Sequence, residues 1–375
     1  MACRHHGSIR AQQRQAGEED QDHSPHSERM LPVPPRRKSV RIASYTFRMV
    51  HRAIAAPSHQ TIACLTALDV TPLVEVRMPE GGPTIWCKAE YLHPSGSTKD
   101  RIACHILSKA MRDGRIRPGD EVVEASSGST SIAMSMVCAR LGLRFRAFMP
   151  EGVSRERSVM IRAYGGEVEL TPREKGIVGS LEAAREWARC NGSFEPRQFE
   201  NPDNAEAHRR GTAAEVLRQV PGGRVDAYVS GVGTGGTLVG MRLGFEDAGL
   251  RPRPFAARPV AGSSGACCDC FAAVEQCSFS ARIPGVLDGM SHLYRPDEFD
   301  RLEVIEVSDE DAMRITRELI RMGHPVGPSS GLNVAAAIEA SRRLPSDAVV
   351  VTVLCDRMER YFSTELFAGW NATSR

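Results

Sequence analysis

The sequence predicts an α/β protein in which helices cover both faces of parallel sheets. From Thr71 onward, short β-rich runs alternate with segments of helical apolar periodicity, an order typical of parallel strands joined by crossover helices. Several β-rich runs are followed by turns rich in Gly and Ser, where ligands usually bind in such sheets. With 375 residues, the chain is long enough for two domains or one large α/β unit.

Residues 1–58 are predicted to form a disordered extension. They mix both charges with several His, Pro and Ser residues and show no sustained apolar period, so they can bury little surface. A transit peptide is the alternative interpretation, but the acidic run at 18–22 is unusual for such peptides.

The predicted strands are short β-rich runs, and the predicted helices lie between them. In chain order the strands are EVVEA, RFRAFMP, EVELTP, VDAYVS, PFAARPV, LEVIEV and AVVVTVL. The helices are predicted at 100–112, 131–141, 154–164, 178–189, 204–219, 236–246, 309–322 and 332–343. The run SDED at 308–311 is a capping-box start for the helix at 309–322, which Gly323 is expected to end.

Composition argues against several classes of partner. The net charge is +2 and the Arg residues are interspersed with acids, so we expect no nucleic-acid partner. The apolar runs are far shorter than the ~20 residues that a membrane helix needs, so we expect no membrane partner. The eleven cysteines stand mostly alone in apolar contexts, and no signal peptide is recognised. We therefore expect a soluble protein of a reducing compartment, the cytoplasm.

Lys99 stands out in the turn-forming run PSGSTKDR at 94–101. The 48 Lys and Arg residues are mostly arginine, and the lysines are Lys38, Lys88, Lys99, Lys109 and Lys175. Unlike a guanidinium, a desolvated ammonium can lose its proton and act as an amine nucleophile or form a Schiff base. Lys99 is therefore a candidate catalytic residue.

The run GVGTGGT at 231–237 follows a predicted strand and precedes a predicted helix. It matches the G-x-G-x-x-G pattern of dinucleotide sites, but the next strand region, LRPRPFAARP, lacks the acid that would hold a ribose. The free N–H groups and helix dipole of such a turn suit a single phosphate group. A tight turn that needs glycine only for its geometry is the alternative.

Two further small-residue loops open predicted helices. SSGSTS at 126–131 gathers hydroxyls and N–H groups that suit a carboxylate, although a Ser-rich N-cap would look the same. HPVGPSSG at 324–331 is also a small-residue loop; taken by itself, it indicates only a helix N-cap.

Taken together, these motifs resemble the fold-type II pyridoxal phosphate (PLP) enzymes, and within them the cysteine synthase (O-acetylserine sulfhydrylase) and cystathionine β-synthase family. The resemblance extends over about residues 68–367 in collinear order. The matching stretches are TPLVEV, PSGSTKDR, EASSGSTSIAMSM, FMPEGVSRER, AYGGEVELTP, RQFENPDNAEAH, SGVGTGGTLVG, PVGPSSGLNVAAAI and ERYFST.

The resemblance implies a role for each matching residue. Lys99 would bind PLP covalently and later move the substrate's α-proton. Ser329 would hydrogen-bond the pyridine nitrogen, and Ser129 would lie near the ring hydroxyl. The residues implied to cradle the cofactor phosphate are Gly233, Thr234, Gly235, Gly236 and Thr237. Those implied to hold the substrate carboxylate are Ser126, Ser127, Gly128, Thr130 and Gln198. No metal site is implied.

The resemblance also implies how the unit at 59–375 is organised and what it does. The fold would consist of two doubly wound parallel-sheet domains with the cofactor in the cleft between them. A smaller mobile subdomain, about 97–199, would face a larger one, 59–96 with 200–375, and the protein would be a homodimer. The implied reaction is β-replacement on an O-activated L-serine through an aminoacrylate, with sulfide or another small nucleophile as the second substrate. Cysteine desulfhydration to sulfide, pyruvate and ammonia, and an inert binding or regulatory subunit, are the alternatives.

Three features depart from the family pattern. Ser129 stands where the family usually has asparagine, which leaves the choice of substrate or reaction open. The loop IPGVLDGMSHLY places Asp288 and His292 as candidate polar groups at the pocket mouth. Cys267, Cys268, Cys270 and Cys277 form a local thiol cluster, for which a packed or flexible loop is favoured over a metal site because adjacent cysteines cannot easily ligate one ion.

Overall fold

The computed structural model describes residues 58–260, 282–286 and 290–371. Within these ranges the chain alternates strands and helices. In chain order the strands are β1 (Leu73–Val76), β2 (Ile85–Ala89), β3 (Glu121–Ala125), β4 (Arg144–Pro150), β5 (Glu167–Thr171), β6 (Ala227–Gly231), β7 (Arg253–Val260), β8 (Glu303–Ser308) and β9 (Val350–Leu354). The α/β class predicted from the sequence is confirmed.

Helices precede, separate and follow these strands. They are α1 (His59–Leu65), α2 (Lys99–Arg112), α3 (Ser129–Leu141), α4 (Arg155–Ala163), α5 (Gly176–Asn191), α6 (Asp203–His208), α7 (Ala214–Gln219), α8 (Gly236–Asp247), α9 (Asp309–Arg321), α10 (Pro328–Arg342) and α11 (Ala368–Asn371). The helix predicted at 204–219 is divided into α6 and α7 by a π-helical turn, Arg209–Ala213. In the part of the chain that the structure describes, no helix is long and apolar enough to cross a membrane.

The strands of the described ranges form two sheets. The larger sheet has the order β1-β2-β9-β6-β7-β8, and all its pairs are parallel except β1 with β2. The smaller sheet, β3-β4-β5, is parallel throughout. β9 lies inside the larger sheet and is buried at every position, so it reads as a nearly continuous apolar run, and this made it predictable.

The edge hairpin of β1 and β2 was not among the predicted strands. Leu73 pairs with Lys88 and Val76 with Ile85, and β1 has only four residues with one fully buried side chain. Such a short edge strand carries little periodic signal, because pairing with β2 rather than a regular apolar pattern holds it in the sheet.

The predicted capping box of α9 is confirmed. Ser308 is the N-cap, and its Oγ accepts a hydrogen bond from the Asp311 backbone N–H at 3.0 Å. The helix ends at Arg321, and Gly323 follows with a φ of +93°, a conformation that glycine adopts without strain.

The predicted division into subdomains can be compared with the two sheets. The strands of the smaller sheet lie inside 97–199, and those of the larger sheet lie outside it. That the 97–199 part moves remains a prediction. The predicted extension at 1–58 lies outside the described residues except for Ser58.

Candidate active site

A cavity of about 410 Å³ lies at the carboxyl ends of β3, β6 and β9 and at the start of α2. Loops that follow parallel strands converge there, as the sequence predicted. The cavity brings together most of the predicted site residues, namely Lys99, Ser126, Ser127, Ser129, Thr130, Gln198, Gly233, Thr234, Gly235, Thr237 and Ser329. Gly128 and Gly236 belong to the same turns but lie behind the cavity wall.

Lys99 is the first residue of α2, and its side chain lines the cavity. The preceding turn is tied to the end of β9, since the Thr98 N–H donates to the Cys355 carbonyl at 2.9 Å. Burial lowers the pKa of Lys99 from its ordinary value, although Cys355 and Asp356 act in the opposite direction. A lowered pKa increases the fraction of free amine near neutral pH, which is the form that attacks a carbonyl.

Lys88 is fully buried and has a different environment from Lys99. Its ammonium group pairs with Glu215 at 2.7 Å and donates to the Thr71 carbonyl and to Gln219 Oε1. A lysine with these partners is held in place as part of a buried ion pair. Lys99 has no such carboxylate contact within the described chain, so it is the lysine free to react in the cavity.

The serine turn SSGST connects β3 to α3 and faces Gln198. Thr130 Oγ1 donates to Gln198 Oε1 at 2.6 Å, and Gln198 Nε2 donates to the Ala125 carbonyl at 2.8 Å. Ser126 Oγ accepts the Gly128 N–H at 2.9 Å, which shapes the turn. The sequence alone could not separate an anion site from a Ser-rich cap; here the hydroxyls line the cavity beside Gln198, as a carboxylate site requires.

The glycine turn connects β6 to α8, and space there excludes larger residues. A Cβ on Gly233 would lie 2.0 Å from the Gly285 carbonyl oxygen, and a Cβ on Gly236 would lie 1.8 Å from Asn204 Oδ1. Gly235 is the N-cap of α8 with a φ of +78°. The first N–H groups of α8 lack helical partners and carry the positive end of the helix dipole, so the turn suits an anion such as a phosphate.

Ser329 lines the cavity from the first turn of α10. It lies beside the Cys355 thiol: burial raises the pKa of Cys355 to about 11, and a hydrogen bond from Ser329 acts in the opposite direction. The neighbouring Ser330 Oγ accepts the Cys355 N–H at 2.9 Å. These bonds connect the start of α10 to the end of β9.

The structure adds residues that the sequence analysis did not assign to the site. Asp356 follows β9, lines the cavity and accepts hydrogen bonds from Ser129 Oγ at 3.1 Å and from the Tyr361 hydroxyl at 2.8 Å. The acid directly after a buried strand was a usable signal for Asp356. Arg157, buried in α4, also lines the cavity; it ends the matching stretch FMPEGVSRER, but the sequence analysis assigned it no role.

Several predicted features lie outside the described residues or away from the cavity. Asp288 and the cluster of Cys267, Cys268, Cys270 and Cys277 fall in the undescribed segments. His292 does not line the cavity, but it lies next to it, since its backbone N–H donates at 2.9 Å to the carbonyl of Phe199, a lining residue. Among the residues that the structure describes, no group of three or more His, Cys, Asp and Glu side chains could hold a metal ion.

Comparison with known proteins identifies the family. The family model of pyridoxal-phosphate-dependent enzymes matches residues 65–356. The chain belongs to this family. The chain is 37% identical to a cysteine synthase of Staphylococcus aureus over 313 residues, which are 80% of this chain and 94% of the relative. It is also 37% identical to cysteine synthase B of Escherichia coli over 303 residues, 79% of this chain and 93% of the relative.

Solved structures of PLP enzymes share the fold. O-ureido-L-serine synthase superimposes with a TM-score of 0.71 at 33% identity, covering 84% of this chain and 100% of that structure. A hydrogen sulfide-producing enzyme of Fusobacterium nucleatum superimposes with a TM-score of 0.73 at 33% identity, covering 83% of this chain and 92% of that structure. The fold-type II architecture implied by the resemblance is thereby confirmed.

The residues of the cavity fit the PLP that this family uses. Lys99 offers an amine with a lowered pKa, and the glycine turn offers N–H groups in a space that a Cβ would fill. Ser329 offers a hydroxyl on the wall formed by α10.

Proposed function

We propose that this PLP enzyme catalyses β-replacement on an O-activated L-serine, with sulfide as the nucleophile and cysteine as the product. The observation that carries the proposal is the partly buried Lys99 in one cavity with the serine turn and the glycine turn. The 37% identity to cysteine synthases supports the reaction type.

Each cavity residue has a part in this proposal. The glycine turn at 233–237 would hold the cofactor phosphate, and Ser329 would donate a hydrogen bond to the ring nitrogen; most of these residues line the cavity. When bound, the cofactor withdraws electrons from the substrate's Cα and so acidifies the proton there. Lys99 Nζ takes that proton, while the serine turn and Gln198 fix the carboxylate so that Cα faces the amine.

A hydroxyl at Ser329 suits elimination and replacement at Cβ. A neutral hydroxyl does not keep the ring nitrogen protonated as a carboxylate would, so the ring withdraws electrons only moderately. That is enough when a good leaving group departs from Cβ.

Lys99→Ala tests the assignment of the cofactor lysine. The wild-type protein should be yellow and should retain the cofactor covalently after borohydride reduction, and Lys99→Ala should lose the reducible linkage. Lys109→Ala is the control, because Lys109 pairs with Asp203 at 2.6 Å. A reduced adduct mapped to Lys88 or Lys109 would remove Lys99 from its proposed role.

Cysteine desulfhydration is the second candidate. Ser129 in place of an amide favours it, because a shorter side chain leaves more room beside the ring, and the Fusobacterium neighbour is named as a hydrogen sulfide-producing enzyme. The test supplies O-acetyl-L-serine with sulfide, and separately cysteine alone, and quantifies cysteine and pyruvate. Pyruvate as the main product under saturating sulfide would favour desulfhydration over synthesis.

The proposal extends to assembly and location. The enzyme is expected to be a cytoplasmic homodimer with a mobile 97–199 subdomain, as the family resemblance implies. Light scattering of the purified protein tests the dimer, and a monomer at working concentration would contradict it. Hydrogen exchange with and without substrate tests whether residues 97–199 become more protected.

A further inference from the structure

Arg157 is a buried cation that has no ion-pair or hydrogen-bond partner for its guanidinium among the described residues. The side chain is 5% exposed, and its Nε lies buried with no hydrogen bond. Within the described ranges its guanidinium makes neither an ion pair nor a hydrogen bond. Buried charges are normally paired because their desolvation costs several kcal/mol, so such a group calls for a ligand.

A comparison with Arg101 shows that this environment is unusual. Arg101 is also 5% exposed, but its guanidinium binds Glu215 Oε1 at 2.7 Å and Glu90 Oε1 at 2.6 Å. Asp356 and Glu156 hydrogen-bond to other residues and make no ion pair with Arg157, although Asp356 Oδ1 itself has no hydrogen bond within the described part of the chain. Asp356 accepts from Ser129 and Tyr361, and Glu156 Oε2 accepts from Ser363 Oγ at 2.7 Å.

The position of Arg157 places its charge beside the substrate turn. A Cβ on Gly128 would lie 2.1 Å from Arg157 Cδ, so the arginine stem packs directly behind the serine turn. The guanidinium carbon lies 4.9 Å from the centre of the Tyr361 ring, and the Tyr361 hydroxyl is fixed by its bond to Asp356. The cation is therefore held in place at the cavity wall before any ligand arrives.

We infer that Arg157 binds an anionic β-substituent of the substrate, and that O-phospho-L-serine is the preferred O-activated serine. This inference rests on the proposed function. The serine turn already offers hydroxyls and N–H groups to the α-carboxylate, so a further cation matches a further negative charge. An acetyl ester would leave the guanidinium unpaired, whereas a phosphate ester would pair with it.

With O-phospho-L-serine, inorganic phosphate is the leaving group. The α-proton leaves to Lys99 Nζ, its electron pair forms the second bond of a Cα=Cβ double bond, and the Cβ–O bond breaks to release inorganic phosphate. Hydrosulfide then forms the Cβ–S bond, and a proton returns to Cα. Arg157 stabilises the phosphate as negative charge develops on the departing oxygen.

The test compares two substrates in matched variants of the PLP-loaded enzyme. We expect Arg157→Met to lower kcat/KM for O-phospho-L-serine by about ten- to a hundredfold, and to change kcat/KM for O-acetyl-L-serine by less than about threefold. Arg157→Lys keeps the charge without the planar fork and should recover part of the loss. Arg162→Met, an exposed position of the same helix, should leave both values unchanged.

A binding measurement separates recognition from folding defects. Inorganic phosphate should inhibit the wild type competitively against O-phospho-L-serine, and its inhibition constant should rise in Arg157→Met. Visible absorption and melting temperature check that cofactor and fold are retained. If Arg157→Met loses the cofactor, the same comparison of the two substrates is made with Arg157→Lys that retains its cofactor.

Several outcomes would overturn the inference. An equal loss on both substrates would show that Arg157 acts on their shared α-carboxylate, and an unchanged preference would show that it binds neither. A wild type that uses O-acetyl-L-serine but not O-phospho-L-serine would also overturn it, while leaving the proposed function intact. A cofactor-loaded protein inactive with both would instead contradict the proposed function.

Discussion

At the scale of single residues, Ser129 shows how one side chain is positioned by a distant part of the chain. Its Oγ donates to Asp356 Oδ2, and Asp356 is also bound by Tyr361. The hydroxyl is thus directed at the carboxylate that follows β9. The asparagine that the family usually has here would offer both a donor and an acceptor in place of this hydroxyl.

Ser129→Asn should raise the ratio of cysteine to pyruvate formed. An asparagine amide offers an additional hydrogen-bonding group to the bound substrate. The substrate that has lost its leaving group is then released more slowly, and sulfide addition competes better with its release. Product analysis with O-acetyl-L-serine and sulfide measures the ratio. Ser129→Ala is the matched control, since it removes the hydroxyl without adding the amide. An equal ratio in Ser129→Asn and wild type would show that residue 129 does not control the outcome.

Gly236→Ala should strongly weaken cofactor retention. The added Cβ would come within 1.8 Å of Asn204 Oδ1, so Asn204 must move, and Asn204 Nδ2 now holds Thr234 Oγ1 at 2.9 Å. The glycine turn would then lose its shape. Cofactor content after dialysis is the measurement. Gly369→Ala, where a Cβ has open space, is the control, and full retention by Gly236→Ala would refute the phosphate assignment.

At the scale of elements, β3 carries a buried carboxyl group, that of Glu124, which has no cationic partner among the residues that the structure describes. Burial raises the pKa of Glu124 to about 8, although its carboxylate accepts the N–H groups of Gln198 and Ala125 at 3.2 and 3.0 Å. Glu124 thereby supports the backbone of Gln198, whose side chain contacts the serine turn.

Glu124 should make stability fall as pH rises. Its folded pKa lies above its ordinary value of 4.5, so the folded state binds the proton more tightly. The stabilisation is complete below about pH 4.5 and is lost as pH rises toward about 8. Glu124→Gln should flatten this part of the melting-temperature profile. Glu121→Gln is the control, because its neighbours lower the pKa of Glu121 overall; an unchanged slope in Glu124→Gln would contradict the prediction.

At the scale of the whole molecule, the limits of sequence reasoning follow from distance along the chain. The serine and glycine turns were predictable because each is a local pattern next to an apolar strand or helix. The bond from Ser129 to Asp356 joins residues 227 apart, so no local pattern reports it. Arg157 reads as an ordinary helix arginine, and its burial arises only when α4 packs near Tyr361.

A buried network of charges connects α2, the helix that begins with Lys99, to β2 of the larger sheet and to α7. Arg101 of α2 binds Glu90, which follows β2, and Glu215 of α7, and Lys88 of β2 also pairs with Glu215. Burial alone would raise the pKa of Glu90, but Arg101 and His93 hold it well below its ordinary value. The carboxylates therefore stay charged, and their charge depends on Arg101.

Arg101→Met should destabilise the protein by about 3–5 kcal/mol, because it leaves Glu90 and part of Glu215 as uncompensated buried charges. The loss should shrink at low pH, since protonation of the freed carboxyls removes their charge. Urea unfolding at neutral and acidic pH measures both effects. Arg115→Met is the control: its exposed pair with Asp113 at 3.4 Å is screened by solvent, so stability should not change measurably. A loss in Arg101→Met as small as in this control would show that the network does not hold α2 in place.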